Sequence, residues 1–201
     1  VAPGANYLLS PKCIQNTGNL LSDASVVLMQ LEIPVNTVLE SARLAHSGGA
    51  TVILNPAPAC ELPDEIFSFL NIITPNESEI EHLTGVKITD ETSMVTAASN
   101  LHELGVSVVL LTLGSKGVFL SEKINNEIQN HIFPAFQVMP VDTTAAGDVF
   151  NGCLAVSLAA ENSLVESIKF AQAAAALSVQ TLGAQTSAPS LDAVEKFLQE
   201  A

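Results

Sequence analysis

The sequence predicts an α/β fold in which a mostly parallel sheet carries helices on both faces. Three observations lead to this prediction: short apolar runs rich in β-branched residues, helical patterns between them, and the alternating order of the two. The runs are apolar at consecutive positions, which is typical of strands buried on both faces. Alternation of strands and helices implies parallel strands joined by crossover helices.

The strands and helices of the first half are predicted from these runs and from their end signals. Four buried strands are predicted at residues 26–31, 51–54, 72–73 and 108–111. Helices are predicted at residues 34–46 and 92–104. The first of these helices begins at a proline, and both are followed by glycine, as expected for helix ends.

The second half departs from this rhythm. Residues 117–141 contain a short apolar run and an Asn-Asn turn, which predict a small hairpin appended to the sheet. From Gly147 onward the chain is predicted to be helical. Ser163 and Glu166 form a predicted capping box that opens an alanine-rich helix, and that helix is expected to end at Gly183.

Composition limits the domain count and the partners. A chain of 201 residues that is 48% hydrophobic and 14% charged is expected to form one α/β domain, residues 1–201. The net charge of −14, with only seven Lys and Arg, argues against nucleic acid and anionic membranes as partners. A small polyanion such as ATP remains compatible, held by backbone N–H groups and a divalent metal.

Cysteine and histidine usage predicts a cytoplasmic protein without a zinc site. The three cysteines are far apart and include no C-x-x-C pair, so reduced thiols are expected. The four histidines are equally scattered. No apolar stretch is long enough to cross a bilayer, and the first residues lack a signal-peptide pattern.

Polar or glycine-rich segments follow each predicted strand. They are residues 30–32, 55–59, 74–79 and 112–117. In a parallel α/β sheet, ligands bind beyond the carboxyl ends of the strands. These four segments are therefore expected to line one ligand-binding edge.

A fifth segment, residues 142–148, consists of small residues between two carboxylates and precedes a helical pattern. Small residues let the backbone approach a ligand, and the N–H groups of a first helical turn point at an anion. Asp148 would stand there as a base beside a phosphoryl group. The structural alternative is a loop that ends in an Asp-capped helix.

Together these segments resemble the ribokinase group of the PfkB carbohydrate kinases. The matching motifs are Asn-Pro-Ala-Pro-Ala, Thr-Pro-Asn-Glu-x-Glu, Thr-Leu-Gly-x-x-Gly and Asp-Thr-x-Ala-Ala-Gly-Asp. The resemblance implies a ribokinase-like three-layer sandwich. It covers the C-terminal two thirds of such a protein, so the domain is expected to be incomplete at its N-terminus, without the sugar-binding segment and lid.

The resemblance also implies roles for the residues of the last motif. Asp148 would accept the proton of the sugar's primary hydroxyl, which places it in the substrate site as well. The N–H groups of Ala145, Ala146 and Gly147 would stabilise the phosphoryl charge. Phosphoryl transfer needs mainly positioning and charge stabilisation, which fits this division.

The nucleotide, its Mg²⁺ and the sugar are assigned to other segments by the same resemblance. Asn76 would lie near the phosphates and Glu79 would order the Mg²⁺ hydration shell, although the pair also fits a capping box. Glu32 would accept hydrogen bonds from the sugar. The expected nucleotide-facing residues are Thr112, Leu113, Gly114, Ser115, Lys116, Gly117 and Gln172. Without the other motifs, residues 112–117 would simply be a strand-ending turn.

A K⁺ site is the last feature implied. Its candidates are Asp142, Thr144, Ser178, Thr181, Gly183 and Ser187. Oxygen ligands suit a hard cation, and an ordinary helix C-cap at Gly183 stays open as the alternative.

The implied activity is ATP-dependent transfer to a sugar's primary hydroxyl, from D-ribose to D-ribose 5-phosphate, with Mg²⁺ and activation by K⁺. A fructokinase-like or adenosine kinase-like enzyme, or a catalytically incomplete nucleotide-binding fragment, remains an alternative. Dimerisation is expected of the full-length protein.

Overall fold

The computed structural model describes residues 4–200. Six strands form one sheet in the order β1 to β6. Their bounds are β1 Val26–Met29, β2 Thr51–Leu54, β3 Ile72–Ile73, β4 Val108–Thr112, β5 Val118–Ile124 and β6 Glu127–Phe133. The helices are α1 Pro11–Gln15, α2 Val35–Gly48, α3 Glu77–Thr84, α4 Glu91–Glu103, α5 Ala146–Ala159, α6 Leu164–Ser178 and α7 Leu191–Glu200.

The chain divides into two compact units. The first comprises Val1–Thr112 and Phe119–His131, and the second comprises Leu113–Val118 and Ile132–Ala201. The assignment of all 201 residues to a single domain stays a prediction.

The first four strands are parallel and neighbour one another in sequence order. Leu54 of β2 pairs with Met29 of β1 and with Ile73 of β3, and Ile72 of β3 pairs with Val108 of β4. The carboxyl ends of these strands therefore share one edge of the sheet. The predicted parallel sheet is confirmed.

The hairpin predicted after Gly117 is β5 and β6. Two residues, Asn125 and Asn126, connect neighbouring strands of the sheet, so the pair is antiparallel. Both asparagines have positive φ, at 52° and 67°, as a two-residue hairpin turn of this kind requires.

The core of the first unit lies on the central strands. Consecutive residues of β2 and of β4 are fully buried, namely Val52, Ile53, Leu54, Val109, Leu110 and Leu111. Neighbouring residues of a strand point to opposite faces, so both faces of these strands are covered. This explains why the strands are apolar throughout.

The second unit is built from α5, α6 and α7. Ala173 and Ala174 of α6 and Val194 of α7 form its buried centre. Phe136 and Phe197 close it with an edge-to-face contact at 5.2 Å between ring centroids. The predicted capping box of Ser163 and Glu166 opens α6.

The alanine-rich helix ends at Ser178, so the end predicted at Gly183 is wrong. A continuing helix needs the Val179 carbonyl to accept the N–H of Gly183. That carbonyl instead accepts the N–H groups of Val141 and Asp142, at 2.7 and 3.1 Å. Gly183 donates its N–H to the Asp142 carboxylate, and its φ of 98° is left-handed.

Within residues 4–200, none of the helices combines the length and the apolar character that crossing a bilayer demands.

Candidate active site

In the first unit, the carboxyl edge of the parallel strands carries three of the predicted site residues. Glu32 follows β1 and is exposed. Asn76 follows β3, and Thr112 ends β4, where the two residues form an isolated parallel bridge. Thr112 donates its N–H and its hydroxyl to the Pro75 carbonyl, at 2.9 and 3.3 Å. Parallel pairing thus continues past β3 and fixes the position of Asn76.

Asn76 and Glu79 form a reciprocal capping box at the start of α3. Asn76 Oδ1 accepts the N–H groups of Ser78 and Glu79, both at 2.9 Å. The Glu79 carboxylate accepts the Asn76 backbone N–H on one oxygen and Nδ2 on the other, both at 2.8 Å. The structural alternative for this pair is therefore realised, and it also fixes the Asn76 amide with its nitrogen toward Glu79.

The same geometry leaves Asn76 able to bind an anion. Nδ2 has two hydrogens, and the bond to Glu79 uses one of them. The other hydrogen lies on an exposed residue at the N-terminus of α3, where the helix dipole favours negative charge. A phosphate oxygen is a suitable acceptor there.

Glu79 has the donor type that Mg²⁺ prefers. Its side chain is buried, and burial raises the pKa of the carboxyl while the hydrogen bonds from Asn76 oppose that rise. Residues 4–200 contain no cluster of three His, Cys, Asp or Glu able to hold a metal. A single carboxylate suits a Mg²⁺ ion that keeps its waters and arrives with phosphate groups.

In the second unit, residues 113–117 form a tight turn. The Leu113 N–H donates to the Gly117 carbonyl at 2.8 Å, and Gly114, Ser115 and Lys116 are exposed at the tip. Gly117 has a φ of 109°, and a Cβ there would collide with the Phe133 carbonyl. This glycine is therefore needed for the close approach of the chain's own backbone at residues 133–135.

Gln172 is buried on α6. Its Nε2 donates to the carbonyls of Phe133 and Pro134, at 3.2 and 3.4 Å. Both contacts hold the backbone at the end of β6 that Gly117 also approaches. These side-chain hydrogen bonds to the backbone were not predicted from the sequence. The predicted contact between Gln172 and adenine stays a prediction.

The loop at residues 142–148 is fastened at its first residue. Asp142 Oδ1 accepts the Thr144 N–H at 2.9 Å, and Oδ2 accepts the Gly183 N–H at 3.0 Å. The hydrogen bonds from Thr144 and from Gly183 lower the pKa of the Asp142 carboxyl. An ionised Asp142 thus ties the loop to the turn that follows α6.

The end of this loop is the first turn of α5. Ala145 stands just before the helix with a φ of 61°, a left-handed conformation that is uncommon for a residue with a side chain. The Ala146 N–H donates to the Thr143 carbonyl at 3.3 Å. Among the described residues nothing accepts the N–H of Ala145 or Gly147, so both can receive an anion.

Asp148 is the third residue of α5 and is exposed. A Cβ built on Gly147 would meet nothing within 4 Å, and Gly147 does not have a positive φ. Neither packing nor backbone conformation requires glycine at this position. The open space beside Asp148 fits a ligand that comes close to the backbone.

The candidates for the K⁺ site lie on two segments, the loop before α5 and the end of α6 with the residues that follow it, which the hydrogen bond from Gly183 to Asp142 joins. Ser178 and Ser187 are buried and donate their hydroxyls to the carbonyls of Ala175 and Ala184, at 2.8 and 2.6 Å. Thr144 and Thr181 are exposed. Each carboxylate oxygen of Asp142 retains a lone pair after accepting one N–H. This oxygen-only donor set fits a hard monovalent cation.

Comparison with known proteins identifies the family. The pfkB family carbohydrate kinase description matches residues 4–191. This chain belongs to the pfkB family of carbohydrate kinases. It is 46% identical over 201 residues to a ribokinase from Haemophilus influenzae, covering 100% of this chain and 64% of that protein. The pfkB-family chain thus spans less than two thirds of this relative's length.

Solved structures confirm the ribokinase-like α/β fold of this pfkB-family chain. A ribokinase from Thermotoga maritima superposes with a TM-score of 0.86 at 44% identity, covering 98% of this chain and 64% of that one. The Arabidopsis thaliana ribokinase, solved with ribose and ATP, superposes with a TM-score of 0.88 at 33% identity and the same coverage.

One polar residue of the edge was given no role from the sequence. Asn55 follows β2 in the Asn-Pro-Ala-Pro-Ala segment and is 6% exposed. Its position beyond a parallel strand was the available signal. What could not be read from the sequence is that its side chain has no hydrogen-bond partner in the described part of the chain.

Proposed function

We propose that this chain is the nucleotide-binding and catalytic part of an ATP-dependent sugar kinase, a transferase that converts D-ribose into D-ribose 5-phosphate. The observation that carries the proposal is the first turn of α5. Asp148 stands there beside open space at Gly147 and beside backbone N–H groups without a partner. The 46% identity to a ribokinase supports ribose as the sugar.

In the proposed reaction, Asp148 accepts the proton of the sugar's primary hydroxyl. The hydroxyl oxygen forms a bond to the γ-phosphorus of ATP as the bond to the β–γ bridging oxygen breaks, and ADP leaves. The N–H groups of Ala145 and Gly147 stabilise the negative charge on the transferring group. Positioning and charge stabilisation supply most of the rate enhancement in this class of reaction.

Nucleotide binding is proposed for the residues that the resemblance assigns to it. Asn76 donates its remaining Nδ2 hydrogen to a phosphate oxygen, and Glu79 accepts hydrogen bonds from the water shell of Mg²⁺. Mg²⁺, when bound, neutralises phosphate charge. The exposed tip at Gly114, Ser115 and Lys116 faces the nucleotide. Gln172 is proposed to contact the adenine of the same nucleotide.

K⁺ binding and the cellular setting complete the proposal. Asp142 and the turn after α6 would hold a K⁺ ion, which when bound would help to keep the loop at residues 142–148 in place. The three cysteines are unpaired, which supports a cytoplasmic location. The charge of −14 supports partners other than nucleic acid and membranes. A homodimer of the full-length protein is proposed from the family resemblance.

A coupled assay of ADP release tests the function. It compares ribose, fructose and adenosine as acceptors, on this chain and on a version extended at the N-terminus to the length of its relatives. We expect the extended protein to release ADP fastest with ribose and to depend on K⁺. Faster release with fructose or adenosine would identify another pfkB kinase, and no release with any acceptor would contradict the proposed activity.

A further inference from the structure

Asn55 differs from every other buried polar side chain among residues 4–200. The others each make a side-chain hydrogen bond, and they are Thr37, Ser41, Thr74, Glu79, His102, Ser121, Asn151, Ser157, Ser167, Gln172, Ser178 and Ser187. Asn55 makes no side-chain hydrogen bond, although it is buried, with only 6% of its surface exposed. Buried polar groups without a partner are rare in native proteins and call for an explanation.

The amide of Asn55 nevertheless reaches the surface. Among the described residues, every side-chain nitrogen or oxygen that is fully shielded from solvent has a hydrogen-bond partner. The unpaired Nδ2 and Oδ1 of Asn55 must therefore touch solvent, while the rest of the residue is enclosed. The side chain thus presents its two N–H donors and one acceptor at a small opening.

The backbone around Asn55 is held on both sides. Its N–H donates to the Met29 carbonyl at 2.9 Å, and the Ala57 carbonyl accepts the Leu31 N–H at 2.9 Å. Pro56 follows directly and restricts Asn55 to an extended backbone. The backbone at Asn55 is therefore fixed, and burial limits the positions open to its side chain, which reduces the entropy cost of binding a ligand.

Strand order places Asn55 between two groups of proposed binding residues. β2 lies between β1, which Glu32 follows, and β3, which Asn76 and Glu79 follow. The family resemblance assigns Glu32 to the sugar, and the proposed function assigns Asn76 with Glu79 to the phosphates and Mg²⁺. Neighbouring strands are about 4.8 Å apart, so a phosphoryl group that moves from the β3 side to the β1 side passes the end of β2.

We propose that Asn55 is a phosphoryl-binding residue whose Nδ2 donates a hydrogen bond to an oxygen of the γ-phosphoryl group of ATP. The proposal rests on the proposed kinase function. The amide forms no covalent bond during the reaction and holds the group that is transferred. A neutral amide suits this position because it binds the oxygen without adding charge that product release would have to overcome.

Comparing the affinities of ATP and ADP tests the role, because ADP lacks the γ-phosphoryl group. Calorimetry with Mg²⁺ measures both affinities for the parent, Asn55→Leu and Asn55→Asp in the N-terminally extended protein. We expect Asn55→Leu to weaken ATP binding about 10- to 100-fold and to leave ADP within about threefold, as loss of a hydrogen bond to a charged group implies. Asn55→Asp should weaken ATP further, because a carboxylate repels the phosphoryl oxygens.

The control is Asn36→Leu, the same change on the exposed surface of α2, which should leave both affinities unchanged. Urea unfolding should show Asn55→Leu to be about as stable as the parent, because the amide that is removed makes no hydrogen bond within the protein. If that variant does not fold, Asn55→Asp decides the question.

The outcomes separate this inference from the proposed function. An unchanged ratio of ATP to ADP affinity in the Asn55 variants overturns the inference and leaves the kinase proposal intact. A parent that binds ATP but phosphorylates no sugar contradicts the kinase proposal, and the affinity ratio still decides the role of Asn55. A parent that binds no ATP contradicts both.

Discussion

The carboxylate of Asp142 accepts the backbone N–H of Gly183 at 3.0 Å, across 41 residues of sequence. The same carboxylate accepts the N–H of Thr144, two residues further along its own loop. One ionised side chain therefore connects the loop that leads into α5 with the turn that leaves α6. The residues proposed to carry out phosphoryl transfer follow directly on this connection.

Replacing Asp142 by asparagine should disturb the loop while preserving side-chain size. Asparagine offers a single acceptor oxygen, so one of the two backbone N–H groups would meet an amide N–H instead. We expect turnover to fall about 10- to 100-fold, as a small misplacement of reacting groups implies, and K⁺ activation to be lost. Steady-state kinetics in K⁺ and in Na⁺ measure both effects. Asp192→Asn, on exposed α7, is the control, and equal kinetics in the two variants would argue against the connection.

Glycine at position 145 should give a more stable protein than the native Ala145. Its φ of 61° costs an L-residue about 1–2 kcal/mol, whereas glycine pays about 0.4–1 kcal/mol in unfolded-state entropy. We therefore expect Ala145→Gly to raise the free energy of unfolding by up to about 1 kcal/mol. Ala145→Val should lower it, since a β-branched side chain disfavours this conformation. Urea unfolding measures both, and a destabilised glycine variant would contradict the prediction.

Gly147→Ala should separate stability from activity. The added methyl meets no atom within 4 Å and replaces a helical glycine, so the free energy of unfolding should rise by about 0.5–1 kcal/mol. Turnover should fall at least about tenfold, because the methyl enters the space assigned to the phosphoryl group. Gly152→Ala, five residues later in α5 and equally open, should give the stability gain without the loss of turnover. Full activity of Gly147→Ala would exclude a ligand from that space.

The parts of the fold that could be predicted from the sequence are those set by residues close together in the chain. Strands β2 and β4 were predicted from the sequence because burial on both faces makes their consecutive residues apolar, and such a run is visible in the sequence itself. The capping box of Ser163 and Glu166 was found because both partners lie within one turn of α6. Such features depend on residues close together in the chain.

The features that sequence reasoning missed depend on distant residues. The end of α6 is set by Val141 and Asp142, whose N–H groups occupy the Val179 carbonyl from nearly 40 residues away. Helix α1 was not predicted, and the helical region predicted from Gly147 onward gave no separate bounds for α7, which adds its apolar side to a core formed by α6. The unpaired amide of Asn55 is visible only when every possible partner has a position.

Buried His102 should make stability depend on pH. Its Nδ1 donates to the Val106 carbonyl at 2.8 Å, and Nε2 accepts from the Ser121 hydroxyl at 2.9 Å, which suits the neutral ring. Burial lowers the pKa of His102 from 6.5, and Lys123 adds to the effect. The unfolded chain therefore takes up the proton first, and stability should fall as pH drops below about 6.5.

Urea unfolding at pH 7.5, 6.5 and 5.5 measures this dependence. His102→Gln should be less stable at pH 7.5 and should lose less stability than the parent between pH 6.5 and 5.5. His82→Gln, on the exposed side of α3, serves as the control. An identical pH dependence for the parent and His102→Gln would contradict the assignment.

The turnover of Asp148→Asn in the N-terminally extended protein tests the central claim most directly. Asparagine keeps the size and polarity of the side chain but cannot accept the hydroxyl proton. We predict a fall in the rate of ribose phosphorylation of about 10²- to 10⁴-fold, the usual contribution of a general base, with unchanged unfolding and ATP binding. Turnover within about tenfold of the parent, in a variant that folds normally, would contradict the account.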